Sequence, residues 1–571
     1  MTTDSDGSGP VAAAGRPTLA LRARTDLAEL SPFELKGHLA ELAGRHDRPL
    51  DAGRGNPNWI ATNPREAFFA LGAFALDESY RCGHEPGLSE GPQRAGIAAR
   101  FDEWVGQNLH QRGVESLSRC VDVGLKAGFE PDAWVHELVD GIIGDHYPTP
   151  DRIAPHVEQV VSRYLTRELC AGEELAGGLH LFATEGGSAA MCYLFDSLNI
   201  NGVLPTGAKV ALMVPAFTPY LEIPRLPRFG FEIVEVVADG RDADGNHTWQ
   251  FSDDELAKLA DPDVAALFVI NPSNPPSVML SDETLDRLAA IVTEHNPTLV
   301  IVTDDVYATF VDGFRSIVTV LPTNTIVVYS FSKLFGATGW RLGVVGMGDD
   351  HVVDRIIAGH SAGLRSALRE RYETITHDAR HLRFIDRMVA DSRLVALNHT
   401  AGLSGPQQVQ MALFAATELA DELDSYEDRC REMLARRLRC LYDALGIELD
   451  PDRFRAGYYV ELDLAWWSHQ RYGAAVSDRL VAEADPAGLV CDLAEHEGIV
   501  VLDGGGFGSD DLSIRISLAN LREDDYAELG ARIVRRFDAY RDAWFDGGWP
   551  GLDTRPAEYG SRQHPDDEES T

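Results

Sequence analysis

Positive charge is scarce in this chain. Lysine and arginine number 51 against 90 aspartates and glutamates, a formal net charge of −39. Nucleic acids and anionic membrane surfaces are recognised through basic footprints, so charge argues against both as partners. An anionic small molecule must then be drawn by a local group of cations, not by the overall field. Cysteine is sparse and scattered, at Cys82, Cys120, Cys170, Cys192, Cys430, Cys440 and Cys491, with no CxxC pair. That spacing offers neither a zinc site nor a disulfide framework, and no metal is expected. Free thiols fit a reducing cytoplasm. No stretch approaches the ~18 consecutive apolar residues of a membrane-spanning helix. The N-terminus shows no basic segment followed by an apolar core, so the secretory reading fails as well.

What is present suits a large globular protein. At 571 residues with 44% hydrophobic content, the chain exceeds one ordinary domain. Residues 1–27 and the acidic tail 549–571 read as disordered. Residues 28–150 carry helical spacing, as in LAELSPFELKGHLAELAG and PDAWVHELVDGIIG, and read as an N-terminal helical segment and insertion contributing to a smaller domain. Residues 151–355 alternate buried-strand candidates (KVALMVPAF, VAALFVINPSNP, LVIVTDDVYATF, TIVVYSFSK) with helices. This is the α/β texture of a mostly parallel sheet covered on both faces. Residues 356–548 read as interdomain helices followed by a mixed α/β region with strands near 458–464, 499–502 and 513–518.

Lysine occurs only five times, and one of the five, Lys333, closes the apolar run TIVVYSFSK beside Ser330 and Ser332. Removing an ammonium from water lowers its pKa and makes the amine nucleophilic, so a lysine so placed is a candidate Schiff-base former. Phe217, Asn274, Asp304 and Lys333 each fall at the C-terminal end of a different expected strand. In open α/β sheets that edge is where ligands bind. Gly186, Gly187 and Ser188 open a helix after a strand, a place where backbone N–H groups hold phosphate. Taken singly these signals are weak. Asp304 or Asp305 reads equally as a turn cap and Tyr307 as core, Tyr147 as packing, Arg515 as a surface residue, and Arg54 as one half of a surface ion pair.

The segment S330-F-S-K333-L-F-G-A-T-G-W-R341-L-G343 resembles the lysine motif of the fold-type I pyridoxal-phosphate-dependent aminotransferases. The segments GRGNPNW, EGGSAAM and the helical block around 84–150 are similar to the aspartate 4-decarboxylase branch, over residues 28 to 545. The resemblance implies a large domain with a seven-stranded sheet, a smaller α/β domain built from the termini, and an extra helical insertion. It implies pyridoxal 5′-phosphate joined to Lys333, with Gly186, Gly187, Ser188, Ser330 and Arg341 around the phosphate. Asp304 would face the ring nitrogen, Asn274 and Tyr307 the ring hydroxyl, and Phe217 the ring face. Tyr147 would reach the phosphate of a neighbouring subunit, which implies a homodimer with shared sites and assemblies of dimers up to a hexamer of them. Arg515 would clamp the substrate α-carboxylate, and Arg54 and Gly55 would lie at the substrate, with Arg54 reading the distal carboxylate. Lys36 is left outside the site. The implied reaction is L-aspartate to L-alanine and CO2, with aminotransfer to an α-keto acid on the side. A plain aspartate or broad-specificity aminotransferase is the alternative. A cofactor-binding transcription regulator would need a basic helix-turn-helix, which the N-terminal sequence lacks.

Overall fold

In the computed structural model, the apolar runs of the middle of the chain pair into one seven-stranded sheet. Its strands are β1 (His180–Thr184), β2 (Lys209–Val214), β3 (Glu232–Val237), β4 (Val264–Ile270), β5 (Val300–Asp304), β6 (Thr325–Ser330) and β7 (Gly343–Met347). Their order is β1-β7-β6-β5-β4-β2-β3. Only β7 runs against its neighbours; the other pairings are parallel. The structure describes residues 32–545 apart from 84, 86, 174, 176, 396–401, 450–451 and 510–511, so the tails expected at 1–27 and 549–571 lie outside the described residues.

Both faces of the sheet are covered, which is why its strands are near-continuous apolar runs. Val210, Leu212, Ala266, Phe268, Val300 and Val302 face one core, where the helix Gly187–Ile200 packs and Phe195 stacks on Phe268 at 4.5 Å. The intervening residues Ala211, Leu267, Val269 and Ile301 face a second core against Leu285, Leu288 and Val292 of the helix Asp282–Glu294. Each such fully buried Val, Leu, Ile or Phe contributes roughly 1.5–3 kcal/mol. Two strands escaped the sequence reading. β3 lies at the sheet edge, with Glu232 exposed and glutamates at 232 and 235, and so lacks a continuous apolar run. β7 contains two of its five residues as glycine.

The C-terminal half builds a three-stranded antiparallel sheet from β8 (Tyr459–Asp463), β9 (Leu502–Asp503) and β10 (Ser513–Ser517), in the order β9-β10-β8. Leu50–Asp51 pairs in parallel with Ile499–Val500, tying the N-terminal chain to this half. The helices Asn63–Cys82, Val114–Lys126 and Pro131–Ile143 pack with one another and with Gly405–Ala420, and Ile97–Asn108 packs on Val114–Lys126 and Pro131–Ile143. Among the described residues no helix is long and apolar enough to cross a membrane.

Three glutamates meet inside the helical layer. Glu418 and Glu427 are 2% and 3% exposed, and Glu168 is buried beside them. Arg167 pairs with Glu168 at 2.7 Å and lies 3.7 Å from Glu427, while Arg431 is 3.4 Å from Glu427. Two arginines thus serve three carboxylates. Burial, then repulsion from Glu168, pushes Glu418 up to about 8, and the same two effects raise Glu427. A carboxyl raised in the folded state contributes stability that is complete below its ordinary value of 4.5 and vanishes as pH climbs through the folded value. The melting temperature is therefore expected to fall between about pH 4.5 and pH 8, and to fall less in Glu418→Gln. Calorimetry across that interval checks this; equal slopes for the two proteins would remove Glu418 as the titrating group.

Candidate active site

A cavity of about 690 Å³ opens at the C-terminal edge of the large sheet. Gly187, Ser188, Phe217, Asn274, Asp304, Tyr307, Ser330, Lys333 and Arg341 line it from the large sheet, Gly55 from the N-terminal chain and Arg515 from the three-stranded sheet. The placement follows from parallel strands, whose C-terminal ends all emerge on one side.

Lys333 follows β6 by three residues, and its Nζ donates to the Gly55 carbonyl at 3.0 Å. A Cβ at Gly55 would lie 3.3 Å from that Nζ and 3.0 Å from the Tyr459 hydroxyl, so any side chain there would crowd the amine. Asp304 ends β5, and its carboxylate takes the Tyr220 hydroxyl at 2.6 Å and the Val306 N–H at 3.2 Å. Burial raises its pKa, opposed by those two hydrogen bonds and by the Lys333 charge. Asp305 points the other way, into the protein, where Thr303 and Ser316 donate to it and burial pushes it up to about 7. The strand alternation thus sends Asp304 to the cavity and its neighbour to the core.

The wall opposite is a hydrogen-bonded chain of polar groups. Arg515 on β10 donates to the Gly53 carbonyl at 2.9 Å and to Asn274 Oδ1 at 3.3 Å. Its guanidinium lies 4.6 Å from the ring centres of both Tyr459 and Phe507, and its Nε is buried without a partner. Asn274 donates to the Tyr307 hydroxyl at 3.5 Å, and Tyr307 donates to the Tyr459 hydroxyl at 3.2 Å. Burial opposes ionisation of the Tyr459 phenol, but the charges of Lys333, Arg515 and Lys36 with the Tyr307 hydrogen bond outweigh it and lower its pKa. At the far end Ser330 donates to Ser332 at 2.9 Å. Gly186 has φ 90°, and a Cβ there would stand 2.5 Å from Arg341 Nη2. A Cβ at Gly343 would stand 2.7 Å from Gly186 itself. Two glycines therefore let β7 and the Arg341 guanidinium close onto the N-terminus of the helix Gly187–Ile200, where unspent backbone N–H groups and the helix dipole favour an anion.

Two expected residues stand elsewhere. The Arg54 Nε sits 2.5 Å from Asp51 Oδ2, its side chain is 57% exposed, and it does not line the cavity. An aspartate three residues earlier captures it, although Gly53 and Gly55 on either side do reach the cavity. Tyr147 is 71% exposed and also stands outside it. Conversely Lys36, set aside on sequence, lines the cavity from the helix Pro32–Ala43. Tyr220, Tyr459 and Phe507 were also missed. The scarcity of lysine was the one signal that could have drawn attention to Lys36.

The class I and II aminotransferase profile matches residues 186–533, a span that begins at the glycine pair and runs past Arg515. The chain belongs to the class I and II aminotransferases. A bifunctional aspartate aminotransferase and L-aspartate beta-decarboxylase of a Pseudomonas species is 46% identical to it over 520 residues, covering 90% of this chain and 96% of that protein. A kynurenine–oxoglutarate transaminase of Dictyostelium discoideum is 26% identical over 246 residues, 41% of this chain and 54% of its own. Among solved structures, a double mutant of Thermus thermophilus aspartate aminotransferase superposes with a TM-score of 0.57 at 17% identity, covering 90% of this chain and 99% of that one. At that identity the likeness bears on the fold alone.

These aminotransferases depend on pyridoxal 5′-phosphate, and the cavity has the parts that group requires. A primary amine and a carboxylate face one volume, and an anion cradle of helix N-terminus, arginine and serine hydroxyls adjoins them. The cradle yields a direct test. Gly186→Ala would put a methyl into the space of the Arg341 guanidinium at a positive φ. Cofactor affinity, read by absorbance titration of the apoprotein, is expected to fall about tenfold or more, the scale of one lost charge-assisted hydrogen bond. Unchanged affinity would remove Gly186 and Arg341 from the cradle.

Proposed function

We propose that this aminotransferase is an L-aspartate 4-decarboxylase, releasing L-alanine and CO2, with transfer of the amino group to an α-keto acid as a side reaction. The observation that carries the reading is the 46% identity to the bifunctional Pseudomonas enzyme across 90% of this chain. The helices Ile97–Asn108, Val114–Lys126 and Pro131–Ile143 fall within residues 84–150, where that branch is expected to carry its helical block.

When bound, pyridoxal 5′-phosphate supplies a carbonyl for exchange with amines and a ring that accepts the electron pair released at the substrate. Lys333 would hold that carbonyl and, once displaced by substrate, serve as the base at the substrate α-carbon. Its hydrogen bond to a neutral carbonyl leaves the amine free to move between the two tasks. Gly186, Gly187, Ser188, Ser330 and Arg341 would hold the phosphate. Asp304, positioned by Tyr220, would hold a proton on the ring nitrogen and keep the ring electron-poor. Asn274 and Tyr307 would bind the ring hydroxyl, and Phe217 would stack on the ring.

Arg515 would take the α-carboxylate. Its Nε is unspent, and its present acceptors are a carbonyl and an amide, which a carboxylate readily replaces. The distal carboxylate needs recognition that does not oppose its loss, because binding spent equally on the ground state gives no gain in rate. Lys36 meets that demand as a single flexible point charge in the cavity wall, and Arg54, held by Asp51, stands behind it. Tyr147, exposed and outside its own cavity, is assigned to the phosphate of a second subunit in a homodimer. A cytoplasmic setting agrees with seven free cysteines, five of them buried.

Carbon-labelled aspartate supplied without keto acid should yield labelled CO2 and alanine in equal amounts. Transfer without CO2 release would leave a plain aspartate aminotransferase. Lys333→Ala is expected to abolish both activities, and normal turnover in that variant would end the assignment. Lys36→Ala should raise the KM for aspartate by tenfold or more, the scale of a lost charge-assisted hydrogen bond, and leave alanine binding near wild type. Arg54→Ala should act less selectively. A larger aspartate-specific effect from Arg54→Ala would restore Arg54 as the distal reader.

A further inference from the structure

A second cavity, of about 640 Å³, lies among the helices Val352–Ala358, Ala362–Tyr372 and Phe384–Val395. That volume falls within the ~300–1,000 Å³ of small-molecule sites. Its floor is apolar: Ile357, Leu368 and Ala379 are each less than 7% exposed. Its walls are basic. Arg365, Arg369, Arg380, Arg383 and Arg387 line it, with only Asp349, Asp350 and Asp354 for acids, in a chain whose net charge is −39.

The arginines are incompletely neutralised. Arg380 pairs with Asp378 at 2.9 Å, and Arg383 stands at 3.7 and 3.6 Å from Asp349 and Asp386. Asp349 is shared with His180 at 2.8 Å, and Asp354 is engaged by the Phe384 N–H. Arg365 reaches only the carbonyls of Ala358 and His360. Arg369 has no hydrogen-bond or ion-pair partner among the described residues, and it is exposed. Arg387 is 3% exposed, and its guanidinium donates only to neutral oxygens, of Leu382, Asn201 and Ala379. Burying a guanidinium without a direct carboxylate is costly, and the cost falls when an anion arrives. Planar forks converging on one space match carboxylate or phosphate oxygens bidentately.

None of these residues belongs to the first cavity. Asn201, which binds Arg387 and takes the His360 ring nitrogen at 2.8 Å, caps the C-terminus of the helix Gly187–Ile200. The phosphate cradle sits at that helix's other end, about 20 Å away at 1.5 Å per residue. We propose that the second cavity is a binding site for a small organic polyanion, an apolar body carrying two or more carboxylate or phosphate groups. The apolar floor takes the body, Arg387 anchors one anionic group from below, and Arg365 and Arg369 close on another at the rim.

The test is isothermal titration of the full-length holoenzyme with benzene-1,3,5-tricarboxylate at fixed ionic strength. One saturable site per chain is expected. The exposed pair Arg365→Gln/Arg369→Gln should weaken it at least tenfold, the scale of the lost charge-assisted contacts, while turnover and melting temperature stay at wild-type values. Arg369→Gln alone should give a smaller loss of the same sign. Arg515→Ala should leave the affinity unchanged. No saturable heat, equal affinity in the double variant, or loss of binding in Arg515→Ala would overturn the proposal, the last because it would place the probe in the first cavity. The outcome does not depend on which reaction that first cavity performs.

Discussion

Lys333, just after the large sheet, and Arg515, on the three-stranded sheet, both face the principal cavity, and both rest on carbonyls of one short segment. Lys333 donates to Gly55 and Arg515 to Gly53. The same segment is held by Ser517, Ala519 and the Tyr458 hydroxyl, so its backbone joins the edges of the two sheets. A neutral carbonyl stabilises a cation less than a carboxylate does, and it leaves the charge available. An incoming dicarboxylate can displace these contacts at modest cost, which a permanent ion pair would forbid. The contrast with Arg54 makes the point: locked to Asp51, it is spent.

The anionic side of the cavity is arranged with similar economy of position. Asp304 and Asp305 are adjacent in sequence and opposite in fate. One faces the cavity with a tyrosine hydroxyl on its oxygen, and the other is sealed in the core with two hydroxyl donors. A strand's alternation separates a carboxylate that must stay responsive from one that is only satisfied.

The strand-end residues were legible because parallel strands align their C-termini on one edge, so sequence order alone predicts convergence. Lys333, Asp304, Asn274 and Phe217 came together on that basis. The cavity's other wall was not legible. Arg515 could be proposed only through resemblance, since a lone arginine on a short strand has no sequence signature. Lys36 lines the cavity and Arg54 does not because an i,i+3 ion pair and the aim of a helix decide which cation enters, and neither is written in spacing. Tyr220 and Tyr459 look like ordinary core aromatics until their hydroxyls are seen. The sheet's edge strand β3 and the glycine-bearing β7 evade pattern reading because one is amphipathic and the other has glycine at two of its five positions. The arginines of the second cavity are spread over two helices and the loop between them, so their convergence appears only in space.

The loop carrying Phe217 is bolted to the loop carrying Phe507: the Ala216 N–H donates to the Phe507 carbonyl and the Thr218 hydroxyl to that of Gly506, both at 2.8 Å. Phe507 in turn stacks on Arg515. A hinge that swung the C-terminal strands outward would therefore drag Phe217, in the cavity wall, with them. Lys36, on a helix of twelve residues, lines the cavity from an element outside this coupled pair of loops.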